Sequence, residues 1–179
     1  GYRAHPLQTA THDRVYMIRD YDVYSVPTDG MGNPTYTTIT EADLYDTTLN
    51  AIGGDLGAAD VTTAKASLNG KEGWYITFQE IDGSFVGEKA LSEPLILEGT
   101  AIFTTFITAS AGLTSNSCKA NDGTGAIYYV NVVDGTPTKD NNGDDAKSRE
   151  DRRVFLARGG IPPTPRVIIT EDGIPTLCV

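Results

Sequence analysis

Three apolar runs, each about the length of one strand, follow one another between Gly73 and Ile107 with turn residues between them. Trp74-Tyr75-Ile76-Thr77-Phe78 comes first, and Asp82-Gly83 closes it with a strong turn dipeptide. Ala90-Leu91 and Pro94-Leu95-Ile96-Leu97 form the second run, ended by Glu98-Gly99. The third, Ala101 to Ile107, is rich in the β-branched and aromatic residues that fit a pleated, half-buried surface. Connections this tight predict consecutive antiparallel strands, a meander that forms the core sheet.

The flanks carry further strand signals. Residues 14–26 alternate well enough for one or two strands, with Asp20 and Asp22 marking a bend or an edge. Ala126 to Val133 reads as a strand turned by Asp134-Gly135, and Val154 to Ala157 resumes the pattern. Three prolines between Gly159 and Pro165 exclude helix and central strand there, so that segment must cross in extended form. Arg166 to Thr170 and Pro175 to Val179 read as a final hairpin. Thr40-Glu41-Ala42-Asp43 looks like an N-cap with an acid three residues on, opening a short helix through Leu44, Leu49 and Ile52. The Ala- and Thr-rich stretch 55–72 adds a second helix, stopped by Asn69-Gly70. The polar stretch 134–153 reads as a flexible loop.

The chain is therefore read as mainly β, with about eight strands and one or two short helices inserted near residues 40–69, a sandwich or propeller pattern. A length of 179 residues fits one domain or one piece of a larger one. A net charge of −10 argues against non-specific nucleic-acid binding and suits an extracellular, calcium-exposed setting. No apolar run approaches the roughly 18 residues that span a membrane. The chain starts with glycine rather than methionine, so a missing secretory leader says nothing about compartment.

Cys118 and Cys178 are the only cysteines. In an oxidising compartment they would form one disulfide, restricting the unfolded chain by about 4 kcal/mol on the loop-entropy view. Two buried free thiols are the alternative.

Catalytic signatures are sparse. His5 and His12 lie in a polar segment outside any motif, and no nucleophile elbow, zinc-binding helix, phosphate loop or paired-cysteine motif occurs. Asp20/Asp22 and Asp144/Asp145 read as solvated loop acids. Trp74 with the tyrosines would make a carbohydrate platform, but in strands these residues are needed for packing.

One polar cluster stands out. Asp140, Asn142 and Asp144 fall at positions 1, 3 and 5 of an EF-hand-like loop. The Ala146 carbonyl would come at 7, Ser148 at 9 and Asp151 at 12. Alternating Asp and Asn supply the hard oxygens that calcium requires. The pattern departs from the motif in having Gly143 at position 4, Asp145 at position 6 where glycine is the rule, and a shorter acid at 12. A solvated hairpin loop is the alternative.

Gly73-Trp74-Tyr75-Ile76, Gly87-Glu88-Lys89-Ala90, Pro94-Leu95, Ile102-Phe103-Thr104-Thr105-Phe106 and Cys118, in that order, resemble the PilY family. This is a family of large type IV pilus tip and biogenesis proteins whose C-terminal domain is a modified β-propeller. The segment Gly159 to Pro165 resembles the crossing into that family's last blade, and residues 14–26 match an early strand loosely. The resemblance implies partial propeller-like antiparallel sheets, about two to three blades, within a larger propeller domain. It also implies an extracellular or cell-surface, non-enzymatic component of the type IV pilus system. Such a component acts in assembly, retraction control or adhesion through contacts with pilins, minor pilins or the rest of its precursor. The family's EF-like calcium loop makes Ca2+ at residues 140–151 an expectation. A carbohydrate-binding β module and a propeller-type enzyme fragment are the competing readings.

Overall fold

The computed structural model describes residues 10–108, 123–172 and 175–179. Among these residues, ten strands form three sheets, with one α-helix inserted. The first sheet holds β1 (Arg14–Ile18), β2 (Tyr45–Asp46) and β3 (Gly73–Thr77). β3 lies centrally, antiparallel to β1 and parallel to β2. The second sheet holds β4 (Lys89–Ala90), β5 (Leu95–Leu97), β6 (Thr100–Ile107), β7 (Thr124–Asn131) and β8 (Arg153–Gly159). All its pairings are antiparallel, and β4 and β5 both lie along β6. β9 (Arg166–Ile169) and β10 (Pro175–Cys178) form a separate antiparallel ribbon, the expected final hairpin.

The predicted meander is split between two sheets. β3 does not pair with the strands that follow it; it pairs with β1, and the two sheets pack face to face. The reason lies in the connection. Asp82-Gly83 does make a tight turn, with the Ser84 carbonyl accepting from Glu80 N–H, but some ten residues separate β3 from β4 and let the chain cross layers. Glu98-Gly99 behaves as the sequence implies. Leu97 pairs with Thr100, and both intervening residues have positive φ (48° and 74°), the twist-matched hairpin geometry.

The core fills the space between the two sheets. Trp74, Ile76 and Phe78 meet Ala101 and Phe103 of β6 and Tyr128 and Val130 of β7. Phe103 and Tyr128 stack with centroids 4.9 Å apart. Helix α1 (Ala58–Asn69) closes one side through Ala64 and Leu68, one turn apart on the same face. The other face of the second sheet is covered by the proline-rich crossing, where Thr104 Oγ1 donates to the Pro163 carbonyl at 3.0 Å. Cover on both faces explains why β6 is buried almost end to end.

The short helix expected over residues 44–52 does not form. Thr40 and Asp43 make the predicted cap, Thr40 N–H and Oγ1 both donating to Asp43 Oδ2 at 2.8 Å, but it closes only a single 3-10 turn, Glu41–Asp43. Tyr45-Asp46-Thr47-Thr48 are poor helix formers, and Tyr45 and Asp46 pair with Trp74 and Tyr75 instead. Residues 19–39 add no second strand to β1. Trp74 is 1% exposed, and its Nε1 donates to the Val132 carbonyl at 3.0 Å. Gly135 (φ +70°) lies against its ring; a Cβ there would come within 3.1 Å of Trp74 and 2.7 Å of Thr47.

Candidate functional site

The polar stretch after β7 is hydrogen-bonded along its length. It leaves the sheet through a bridge between Val130 and Pro137, runs through the Asp/Asn segment, and ends in a 3-10 turn, Arg149–Arg152, that leads straight into β8. Asp140, Asn142, Asp144 and Asp151 come together here. The carboxylates of the three aspartates each place an oxygen within 4.8 Å of the other two, as expected of oxygens about 2.4 Å from a common centre. Asn142 links them, its Nδ2 donating to Asp144 Oδ2 at 3.0 Å and its Oδ1 accepting from Asp144 N–H at 3.0 Å.

The aspartates do not share one role. Asp140 accepts one backbone N–H on each oxygen, from Gly143 at 2.6 Å and Asp145 at 2.9 Å. Asp144 accepts Ala146 N–H on the oxygen not used by Asn142. Both are exposed and keep lone pairs to spare. Asp151 is buried, and its two oxygens take four donors: the N–H groups of Asn141, Asn142 and Ser148, and Ser148 Oγ. That uses the full acceptor capacity of a carboxylate. Burial works against its charge, but the hydrogen bonds from Asn141, Ser148 and Asn142 outweigh it and hold its pKa below the ordinary value. Asp151 is thus the organiser of the loop, with Asp140 and Asp144 its open ligands.

Asp145 is the informative departure from the motif. Its φ of +65° is the left-handed conformation that position 6 of such a loop demands, which aspartate tolerates better than most residues. The donor set, the convergence of oxygens and this turn fit a hard divalent cation. Ser148 is spent on Asp151 rather than facing the cluster.

A second charged cluster lies on the inner side of the Arg149–Arg152 turn. Arg153 donates to Glu80 Oε2 and, at 2.7 Å, to Glu88 Oε2; Glu88 Oε1 accepts from Thr105 Oγ1 at 2.5 Å. Burial pushes the Glu88 carboxyl up, against the pull of Arg153, Thr105 and Tyr128. Burial opposes the Arg153 charge, yet Tyr128, Glu88 and Glu80 leave its pKa raised. Lys89, equally buried, pairs with Asp13 at 3.1 Å. The Glu88-Lys89 dipeptide is therefore a double anchor, one charge tying β4 to β8 and the other to the segment before β1. Arg152 is 2% exposed and donates to the carbonyls of Thr47 and Thr48 at 2.7 and 2.8 Å and to Asn50 Oδ1 at 3.2 Å. No carboxylate pairs with it among the described residues, and burial lowers its pKa to about 10. Glu88 falls in the Gly87–Ala90 stretch that carries part of the family resemblance, whereas Glu80, Arg152 and Arg153 do not stand out in sequence beyond a charged dipeptide abutting an apolar run.

A cleft of about 380 Å³ opens between the two clusters, walled by Ile76 and Ile81 on one side and Val154 and Phe155 on the other. His12 stacks on Phe85 with ring centroids 3.4 Å apart; His5 lies outside the described residues. Asp20 and Asp22 sit on an exposed bend, with Asp22 N–H donating to Asp20. Of the expected Cys118–Cys178 disulfide, Cys178 is exposed on β10 and unbonded to any cysteine among the described residues, and Cys118 lies outside them.

Comparison with solved structures places this architecture. The crystal structure of the Pseudomonas aeruginosa PilY1 C-terminal domain superposes on 99% of the chain with a TM-score of 0.56, at 14% sequence identity. The chain shares its fold with that PilY1 domain. The resemblance read from residues 14–26, from the motifs after Gly73 and from Gly159 to Pro165 is met by a likeness of fold over 99% of the chain, and partial propeller-like sheets describe it correctly. The chain spans only 38% of the length of the PilY1 domain chain. No protein-family model matches the sequence, and no curated protein matches it. At this identity the likeness is one of fold. Among the described residues no helix is long and apolar enough to cross a membrane.

Proposed function

We propose that this chain is a non-enzymatic, surface-located component of the type IV pilus system, acting through protein–protein contacts in assembly, retraction control or adhesion. The observation that carries the reading is the PilY1-like fold over nearly the whole chain. The anchoring of its charged residues supports it: the buried ones are spent on joining strands, and the core tryptophan is buried, which takes the central residue from a carbohydrate platform. Partners would be pilins, minor pilins or further parts of the same precursor.

Calcium at residues 140–151 belongs to the same proposal. Asp140 and Asp144 would supply side-chain oxygens, Asn142 and the Ala146 carbonyl would complete the set, and Asp151 would hold the turn from beneath. The chemistry a divalent cation supplies there is electrostatic: it offsets clustered carboxylate charge and pins the loop to β8. A disulfide between Cys118 and Cys178 remains part of the surface reading, and alkylation under non-reducing conditions tests it directly.

The pilus reading is tested in the source bacterium. The chain should co-sediment with sheared surface pili, and loss of its gene should lower pilus number and surface motility several-fold. Unchanged piliation, with the chain absent from the sheared fraction, would overturn it.

A further inference from the structure

Between β1 and the cap at Thr40 the chain leaves the sheets. Every residue from 20 to 38 is exposed, yet this arm carries Tyr21, Val23, Tyr24, Val26, Met31 and Tyr36, each at least 53% exposed. The arm has a held shape. Thr28 bridges Pro34, Thr35 N–H donates to the Pro27 carbonyl at 2.7 Å, and Asp29 accepts the N–H groups of Met31 and Asn33. A groove of about 690 Å³ runs between the arm and the end of the first sheet. Ile18, Tyr21, Val26 and Tyr36 give it apolar lining, and Asp20, Asp22, Asp43 and Glu72 give it charge. Asp43 is spent on its cap to Thr40. Asp20, Asp22 and Glu72 make no ion pair among the described residues. The cation in the lining, Arg19, is tied to backbone, donating to the carbonyls of Leu68 and Lys71 at 3.4 and 3.2 Å and to that of Val133 at 3.5 Å. Lys71 beside it donates to the Ala42 carbonyl at 2.7 Å. The surplus of acid is regional: residues 20–64 hold eight Asp and Glu and no Lys or Arg.

Apolar surface rimmed by carboxylates that the chain's own cations do not meet suits a side chain that is apolar along its stem and cationic at its head. Arginine and lysine have that form: the stem covers Ile18 and Val26, and the head reaches a carboxylate or lies over a tyrosine ring. We propose that this groove docks an extended, basic segment of a partner protein, arginine or lysine interleaved with apolar residues. Asp20, Asp22 and Glu72 would take its charges, and Tyr21, Val26 and Tyr36 its apolar side chains. Two copies of this chain pairing arm to arm are disfavoured, because that brings two acidic segments together. The inference rests on the protein-contact reading above and gives it a surface and a partner chemistry.

The test uses the full chain and two labelled peptides of about ten residues, one alternating leucine with arginine, the other glycine with arginine, followed by fluorescence anisotropy. The two carry equal charge, so their difference reads the apolar part of the groove. The leucine peptide should saturate, weaken with added salt and bind about fivefold or more tighter than the glycine peptide. Its amide chemical-shift changes should centre on residues 18–39 and Glu72. Asp20→Asn with Asp22→Asn keeps the bend's acceptor and should weaken the leucine peptide about fivefold or more. Asp60→Asn with Glu93→Gln removes as much charge from exposed residues outside the groove and should leave binding within about twofold. Tyr21→Ser with Tyr36→Ser should bring the leucine peptide down to the level of the glycine one. Equal binding of both peptides, no saturation up to ~1 mM, or shifts centred on the Asp140–Asp151 loop would overturn the proposal. So would a concentration-dependent dimer that Asp20→Asn with Asp22→Asn abolishes, since it would give the groove to a second copy. Peptide binding needs no pilus and co-sedimentation needs no peptide, so failure of either reading is seen separately.

Discussion

The two faces of the Arg149–Arg152 turn treat charge in opposite ways. Inward, Arg153 sits between Glu80 and Glu88, and the carboxylates that close on it come from strands and loops some seventy residues away. Outward, Asp140, Asp144 and Asp151 converge and are held by donors of their own loop, backbone N–H groups together with the Asn142 amide and the Ser148 hydroxyl. The inner cluster is neutralised by folding and belongs to the framework. The outer one is local and left anionic, and a cluster of that kind has capacity for something from solution. Buried pairing and surface surplus thus separate a structural charge from an available one more cleanly than residue type does.

The sharpest way to break the contrast is on the inner side. Arg153→Met leaves Glu88 buried and uncompensated, and should cost about 3–5 kcal/mol in urea unfolding. A loss below 1 kcal/mol would mean that the inner cluster is solvated after all. On the outer side, calcium at a hundredfold excess over its Kd should stabilise the chain by about 2.7 kcal/mol, seen as a raised thermal midpoint reversed by chelator. Asp140→Ala or Asp144→Ala should remove the response while barely changing the midpoint without calcium. An unchanged midpoint in the native chain would reduce the outer cluster to solvated acids.

Smaller in size is the backbone effect at Asp145. Asp145→Val places a β-branched residue at a φ of +65° and should cost about 1–2 kcal/mol, whereas Asp145→Gly should be nearly neutral and keep the calcium response. Equal stability of the two variants would show that the turn relaxes. The smallest effect is a slope in pH. Glu88 has its folded pKa raised, so the folded state holds more protons than the unfolded chain between about 4.3 and that raised value. Its contribution to stability therefore falls as pH rises through this window and grows on mild acidification. Glu88→Gln should flatten that part of the urea-midpoint profile, and an unchanged slope would assign it to other groups.

Local pattern made several parts of this readable in advance. The strands β3, β6 and β7, the hairpin of β9 and β10, helix α1 with its glycine stop, and the Asp/Asn alternation of the loop all rest on signals within a few residues of each other. What escaped rests on distance. That β3 and β6 belong to different sheets depends on β1, nearly sixty residues before β3, and no turn dipeptide encodes it. Arg152 finds its carbonyls about a hundred residues back in sequence, so nothing beside it announces that it will be buried. Asp151 was legible as a ligand position from its spacing, but its role as the acceptor of four donors follows from the Arg149–Arg152 turn, which folds it back onto Asn141 and Asn142 ten and nine residues earlier.

The run from Arg149 to Arg153 also bears on how such a chain can change over evolutionary time. Arg149 N–H is fixed to Asp55, Asp151 to the loop, Arg152 to Thr47 and Thr48, and Arg153 to Glu80 and Glu88, each one step of the chain from the next or nearly so. Exchange of the exposed Glu150 disturbs none of these anchors. Insertion or loss of a single residue would slide several of them out of register at once. The run should therefore drift in its exposed letter and hold its length, whereas the Asp/Asn segment before it is free to lengthen or shorten without unseating the sheets.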